Sequence, residues 1–293
     1  MTPKTNLGAS VRARLLNRAK KENSEFGLLL TRFALERLLF RLSISKHREQ
    51  FLLKGALLFD LWFDEPHRPT RDADFLAFGS PDLSAMASVF REISEMEVTD
   101  GIVFDPASVK AQEIRKEANY AGIRITLMGL LDGARCSVQA DVGFGDAVTP
   151  APEETTYPVL LHDLPAPRLR VYPRYTVIAE KYHAITYLGI ANSRMKDFFD
   201  LWVLTRQSEL DTEILRQAIA ATFDRRSTEL PTNTPVGLSE EFASDSAKQA
   251  QWRAFIARNK LSAPDLADIL RHLRGFFGSL PKPHTQSSNS PVR

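Results

Sequence analysis

The sequence predicts an α+β protein: a mixed sheet with flanking helices in the N-terminal half, followed by a C-terminal helical domain. Three observations carry this. Period-two alternation recurs at Ile123, Ile125 and Leu127 and again at Cys136, Val138, Ala140, Val142 and Phe144, as half-buried strands require. Apolar residues recur with helical spacing through Leu28, Leu29, Phe33, Leu35, Leu39, Phe40 and Leu42, and helical patterns dominate after residue 171. Between the two regimes lies a proline-rich stretch holding Pro150, Pro152, Pro158, Pro165 and Pro167.

A chain of 293 residues holds two domains, or one with large additions, and can bury a substantial core. A net charge of +2 announces no nucleic-acid partner, so any RNA surface has to come from local clustering of the 38 Lys and Arg. Cys136 is the only cysteine, which excludes an internal disulfide and a cysteine zinc site; in its apolar strand it reads as a small buried hydrophobe. No signal-peptide pattern and no 18-residue apolar span is found, so a cytoplasmic protein without membrane contact is expected.

Taken in order, residues 1–22 form a short amphipathic helix with a basic face of Arg12, Arg14, Arg18, Lys20 and Lys21. The helix from Ser24 has Arg32, Glu36, Arg37 and Arg41 between its apolar positions, which predicts a basic outer side. Phe51 to Gly79 reads as helix, polar loop broken at Pro66 and Pro69, and strand entered through Arg71-Asp72-Ala73-Asp74. Asp82 to Glu97 is a helix and Gly101 to Phe104 a strand, while 107–119 is charged and ambiguous. The two alternating strands follow, with a turn at Leu131-Asp132-Gly133. One short strand is expected near Tyr157 to Leu161. The later helices are Thr176 to Leu188, one carrying Arg194, Lys196, Asp197 and Asp200, those near 210–223 and 247–259 flanking a loop, and Ser262 to Phe277 with Ser262 as its cap. The predicted segments are thus 1–22, 23–150, a connection over 151–170, a helical domain over 171–280, and a tail over 281–293 disordered by composition.

Chemistry concentrates at Asp72 and Asp74. In a strand they share one face and can share a divalent cation; Mg²⁺ prefers oxygen and is held by one or two carboxylates plus substrate phosphates. Asp141, on the polar face of its strand, is the candidate third carboxylate of a two-ion site for in-line phosphoryl transfer. The bland reading of each is a solvated acidic residue. Lys181 and the acidic residues of the next helix equally read as an ion-pair lattice, since Arg194, Asp197 and Asp200 recur every third residue along one helix side.

KGALLF…RPTRDADF, QADVGFGD, YPRYTVIAEKYHAI and NSRMKDFFDL, in this order, resemble the AbiEii/AbiGii toxin family, whose members have a nucleotidyltransferase fold related to DNA polymerase β. The resemblance spans roughly residues 25–275. It implies a nucleotidyltransferase core over 23–150, metal-binding Asp72 and Asp74, Asp141 as the third acidic position, Lys181 as the nucleotide-phosphate lysine and Asp200 as the late acidic residue, with Asp197 orienting Lys181 or an arginine. Lys54, Gly55 and Arg71 stand in the nucleotide-binding motifs. Family members often have Lys-Gly-Gly where this chain has Lys54-Gly55-Ala56, and the methyl of Ala56 restricts close approach of backbone to phosphate.

The resemblance implies Mg²⁺ as cofactor and an NTP as substrate, a pyrimidine nucleotide or GTP, with pyrophosphate released. The acceptor it implies is RNA, a tRNA 3′ end foremost, held by the basic faces at 12–21 and 32–41 with Arg168, Arg170 and Arg174. The cognate antitoxin is expected to be a separate DNA-binding protein encoded nearby. A protein acceptor, or a non-catalytic NTP-binding protein, are the alternatives; intact acidic motifs argue against the latter. Thr70, two residues before Asp72, is a site where phosphorylation would repel NTP.

Overall fold

The computed structural model describes residues 6–63, 68–116, 120–207 and 209–280. The predicted tail over 281–293 and Pro66 of the predicted loop lie outside them. The chain divides into two compact units, one of Met1–Asp146 with Ala151–Pro173, the other of Ala147–Pro150 with Arg174–Arg293.

The first unit opens with α1 (Leu7–Lys21) and α2 (Phe26–Ile44). Strand β1 (Phe51–Lys54) is followed by a 3₁₀ turn over Gly55–Leu58 and the short α3 (Phe59–Trp62). Then come β2 (Asp72–Ala77), α4 (Leu83–Glu95), β3 (Ile102–Lys116), β4 (Tyr120–Leu131), β5 (Ala134–Phe144), β6 (Glu153–Thr156) and β7 (Arg168–Val171). All seven strands join one sheet in the order β3-β4-β5-β2-β1-β7-β6. The pairs β2–β5 and β1–β7 are parallel and the others antiparallel, so the sheet is mixed, as predicted.

Several elements differ from expectation for identifiable reasons. Phe51 to Lys54 is a strand, because its apolar residues are buried between β2 and β7 on both flanks; four residues are too few for a period to declare itself. Residues 107–116 of the ambiguous charged run belong to β3, whose pairing with β4 shifts between Asp105 and Lys110, and 117–119 lie outside the described residues. The connection over 151–170 is part of the first unit. It supplies β6 and β7, whereas Tyr157 to Leu161, expected to be a strand, is not one.

Of the basic outer side expected of α2, Arg32 is partly exposed and pairs with Asp60 at 3.1 Å, but the rest is not solvated. Arg37 is 0% and Arg41 2% exposed, and Glu36 is buried with them. Arg41 forks onto Asp100 at 2.7 and 3.2 Å and donates to the carbonyls of Met96 and Ile102. Arg37 pairs with Glu36 at 2.7 Å and donates to the Pro165 carbonyl. Charges so deeply buried persist only when paired and hydrogen-bonded, and these serve the interior rather than an RNA. On α1, Arg14 pairs with Asp163 and Arg18 donates to Leu160 O, so part of that basic face also docks the helix; Lys20 and Lys21 are exposed.

The second unit consists of α5 (Arg174–Leu188), α6 (Met195–Gln207), α7 (Thr212–Arg225), α8 (Glu240–Ser244), α9 (Ser246–Asn259) and α10 (Leu266–Gly278). Phe198, Leu201, Phe223, Phe242, Trp252, Ile269 and Leu273 form its core, and Tyr182 stacks on Phe277 at 3.9 Å. The loop expected between α7 and α9 contains α8, started by Ser239, whose Oγ accepts from Phe242 N. The last helix begins after Pro264, with Asp265 as its cap instead of Ser262; a residue before proline is disfavoured in helix. Among the described residues, no helix is long and apolar enough to cross a membrane.

Candidate active site

The acidic face is built by strand register. In β4 and β5 the turn Asp132-Gly133 has positive φ at both residues, 45° and 77°, the geometry that continues the strand twist in a two-residue hairpin. That turn pairs Leu131 with Ala134 and, counting back along both strands, Arg124 with Asp141. Parallel pairing then sets Asp74 beside Asp141 and Asp72 beside Gln139, and antiparallel pairing sets Lys54 beside Asp74. The result is a row across four strands: Lys54, Asp74, Asp141, Arg124. Asp72 lies two residues along β2 from Asp74, on the same face.

Each member is held in place. Gly55 has φ +78°, and a Cβ there would lie 2.3 Å from Asp74 Oδ2, so this backbone approaches the carboxylate as only glycine allows. Thr70 Oγ1 donates to Asp72 Oδ1 at 2.6 Å. Lys54 Nζ donates to Asp146 Oδ2 at 2.6 Å and lies 5.1 Å from the Tyr172 ring centroid. Arg124 Nε and Nη2 donate to the two oxygens of Asp141 at 2.8 and 2.9 Å, and Gln139 Nε2 adds a third bond at 3.3 Å. The Asp141 side chain is 5% exposed. That bond to Asp141 holds the Arg124 guanidinium pKa above its ordinary value, outweighing burial, with Asp72 and Asp74 adding to the field.

Among the described residues, no group of three His, Cys, Asp or Glu is arranged to hold a metal ion. Asp141, expected as third ligand, is turned onto Arg124. Asp72 and Asp74 are hard oxygen donors on one face of β2, and such a pair with substrate phosphates suits Mg²⁺. Arg71, expected at the nucleotide, is exposed and 3.8 Å from Glu25.

In the second unit, Lys181 Nζ lies 2.8 Å from both Asp197 Oδ1 and Asp200 Oδ2, and Arg194 Nε lies 2.7 Å from Asp197 Oδ2. Both aspartates are fully buried. Burial alone would raise the Asp197 pKa; the Lys181 and Arg194 charges outweigh it and hold it below the usual carboxylate value. The lattice read from helical spacing is therefore present, with Lys181 at its centre.

Reading the sequence passed over Arg124, Asp146 and Tyr172. Arg124 had a usable signal, since counting pairs outward from the Asp-Gly turn lands it on Asp141. The other two meet Lys54 only through tertiary packing.

No curated protein matches this chain. Among solved structures it is similar to JHP933 from Helicobacter pylori, at 13% identity and a TM-score of 0.48 over 85% of this chain and 89% of that one. It is similar to an antigenic nucleotidyltransferase-like protein from Paracoccidioides brasiliensis, at 12% identity and a TM-score of 0.34 over 84% and 98%. Scores this low bear on neither substrate nor mechanism. Residues 37–274 match the family described as nucleotidyl transferase AbiEii toxin, type IV TA system, which takes in both the acidic row and the Lys181 cluster. The chain belongs to that family, and it is a nucleotidyltransferase of the toxin class.

Proposed function

We propose that this toxin transfers a nucleotide from an NTP to the terminal hydroxyl of an RNA, a tRNA 3′ end foremost, in a reaction that needs Mg²⁺ and releases pyrophosphate. The observation that carries the reading is the row of Lys54, Asp74, Asp141 and Arg124 with Asp72 alongside. Phosphoryl transfer asks a protein chiefly for positioning and for charge placed where the phosphates lie. Asp72 and Asp74 would hold the ion, Thr70 fixing the rotamer of the first and the Gly55 backbone that of the second. When bound, Mg²⁺ supplies charge neutralisation at the reacting phosphate and makes the acceptor hydroxyl more acidic. Lys54 and Arg124 bring fixed positive charge to the same face. In the second unit, taken by itself, Lys181 is assigned to the nucleotide phosphates, with Asp197 and Asp200 as positioning residues that hold its ammonium extended. Exposed Lys20 and Lys21 support contact with an RNA backbone. An antitoxin partner follows from the family.

The test incubates wild-type and Asp72→Ala protein with each α-labelled NTP, Mg²⁺ and total bacterial RNA on a denaturing gel. Label in a tRNA-sized band for wild type alone supports the proposal and names the base. Label on protein would replace the acceptor class, and no label with NTP binding intact would overturn transfer to RNA.

A further inference from the structure

We propose that Arg124 is a positioning residue that keeps Asp141 out of the metal's coordination, so that the site takes one divalent cation per chain, on Asp72 and Asp74, instead of two. This rests on the metal-dependent reading above and sharpens it.

Two Arg124 nitrogens occupy the two oxygens of Asp141, at 2.8 and 2.9 Å, in the planar fork that matches a carboxylate. Gln139 takes a further lone pair of Oδ1 at 3.3 Å. The contact does not depend on a chance rotamer: Arg124 and Asp141 are directly opposed partners in a hairpin whose register the Asp132-Gly133 turn fixes. The Asp141 side chain is 5% exposed, so withdrawal of Arg124 would leave its charge desolvated without that partner. A cation arriving at Asp141 would also meet the guanidinium at close range, with like charge.

Among the described residues no comparable cation blocks both oxygens of Asp72; Thr70 donates one neutral hydrogen bond to Oδ1. The acidic row is therefore asymmetric. At its β2 end Asp72 accepts from a hydroxyl, whereas its β5 end is already neutralised by a side chain. Arg124 supplies, as a fixed charge, part of what a second ion supplies in two-ion sites.

The experiment counts ions. Mn²⁺ is titrated into the full-length protein with a saturating non-hydrolysable NTP analogue, and free Mn²⁺ is read by electron paramagnetic resonance against a protein-free control. Wild type should bind one ion per chain, Arg124→Met two, and Arg124→Met/Asp141→Asn one again. Should Arg124→Met fail to fold, Asp141→Asn alone should still bind one ion, with affinity within about threefold of wild type. Two ions in wild type, one in folded Arg124→Met, or loss of the ion in Asp141→Asn would overturn the proposal. No bound ion in wild type would instead sink the metal-dependent reading on which it rests.

Discussion

Gly55→Ala tests whether the position of the Asp74 carboxylate matters to the chemistry. An alanine Cβ would lie 2.3 Å from Asp74 Oδ2, 2.8 Å from its Cβ and 2.9 Å from its Cγ, all too close to persist. Relief requires the carboxylate to move by about 1 Å, and a misplacement of that size costs about 10²-fold in rate where geometry governs the reaction. The φ of +78° adds a backbone cost of about 1–2 kcal/mol for any residue with a Cβ. Gly133→Ala is the matched control, with φ +77° and nothing within 4 Å of the added methyl. Both variants should lose about 1–2 kcal/mol of stability in urea titrations from the strained backbone. Only Gly55→Ala should lose about 10²-fold in kcat with labelled NTP and weaken Mg²⁺-dependent NTP binding. Equal transfer rates for the two variants would refute the argument that Gly55 sets the Asp74 geometry on which turnover depends.

Three further outcomes follow from buried charge. Lys181→Met removes the cation that Asp197 and Asp200 share, leaving Arg194 on Asp197, and should cost about 3–5 kcal/mol in chemical denaturation; a loss under 1 kcal/mol would show the cluster is not structural. Arg41→Met should cost about the same by stranding Asp100, and Arg41→Met/Asp100→Asn should be less damaging than the two single changes added together, read as a double-mutant cycle. His183 accepts from Arg226 at Nδ1 and so donates from Nε2 to Thr228, and burial first, then Arg226, lowers its pKa to about 4. The unfolded imidazole takes its proton near pH 6.5, so the folded state loses stability as pH falls from there toward 4, by about 2 kcal/mol at pH 5 relative to pH 7.5. His183→Gln should remove that increment, and parallel pH profiles for the two proteins would contradict it.

The sequence exposed those parts of the fold that carry a period. The β4–β5 hairpin, α4, α5 and α9 all show strand or helix recurrence over enough residues to be read, and Asp72, Asp74 and Asp141 were placed on polar strand faces by alternation alone. Elements of four residues, such as β1, β6 and β7, have no room for a period, and what makes them strands is their neighbours in the sheet. Charge was misread on α2, because Arg37 and Arg41 sit at helical spacing that suits a solvated face. Their partners, Pro165 O and Asp100, lie more than 50 residues away in sequence. The same remoteness hid the pairing of Lys54 with Asp146. The Arg124–Asp141 pair was legible in principle, since hairpin counting needs only the turn.

The strand order bears on how a toxin of this family is made. β2 sits between β5 and β1, so Asp74 gains its acidic neighbour Asp141 only when a strand ending at Phe144 docks beside one that left the ribosome some 60 residues earlier. The hairpins β3–β4 and β4–β5 pair locally and need not wait, but each alone carries at most one of the three aspartates. β1 in turn lacks its second flank until β7 at Arg168–Val171 has been synthesised. A chain released at any earlier point therefore lacks part of the sheet that assembles the acidic face, and truncated products of translation are expected to be harmless to the cell that makes them.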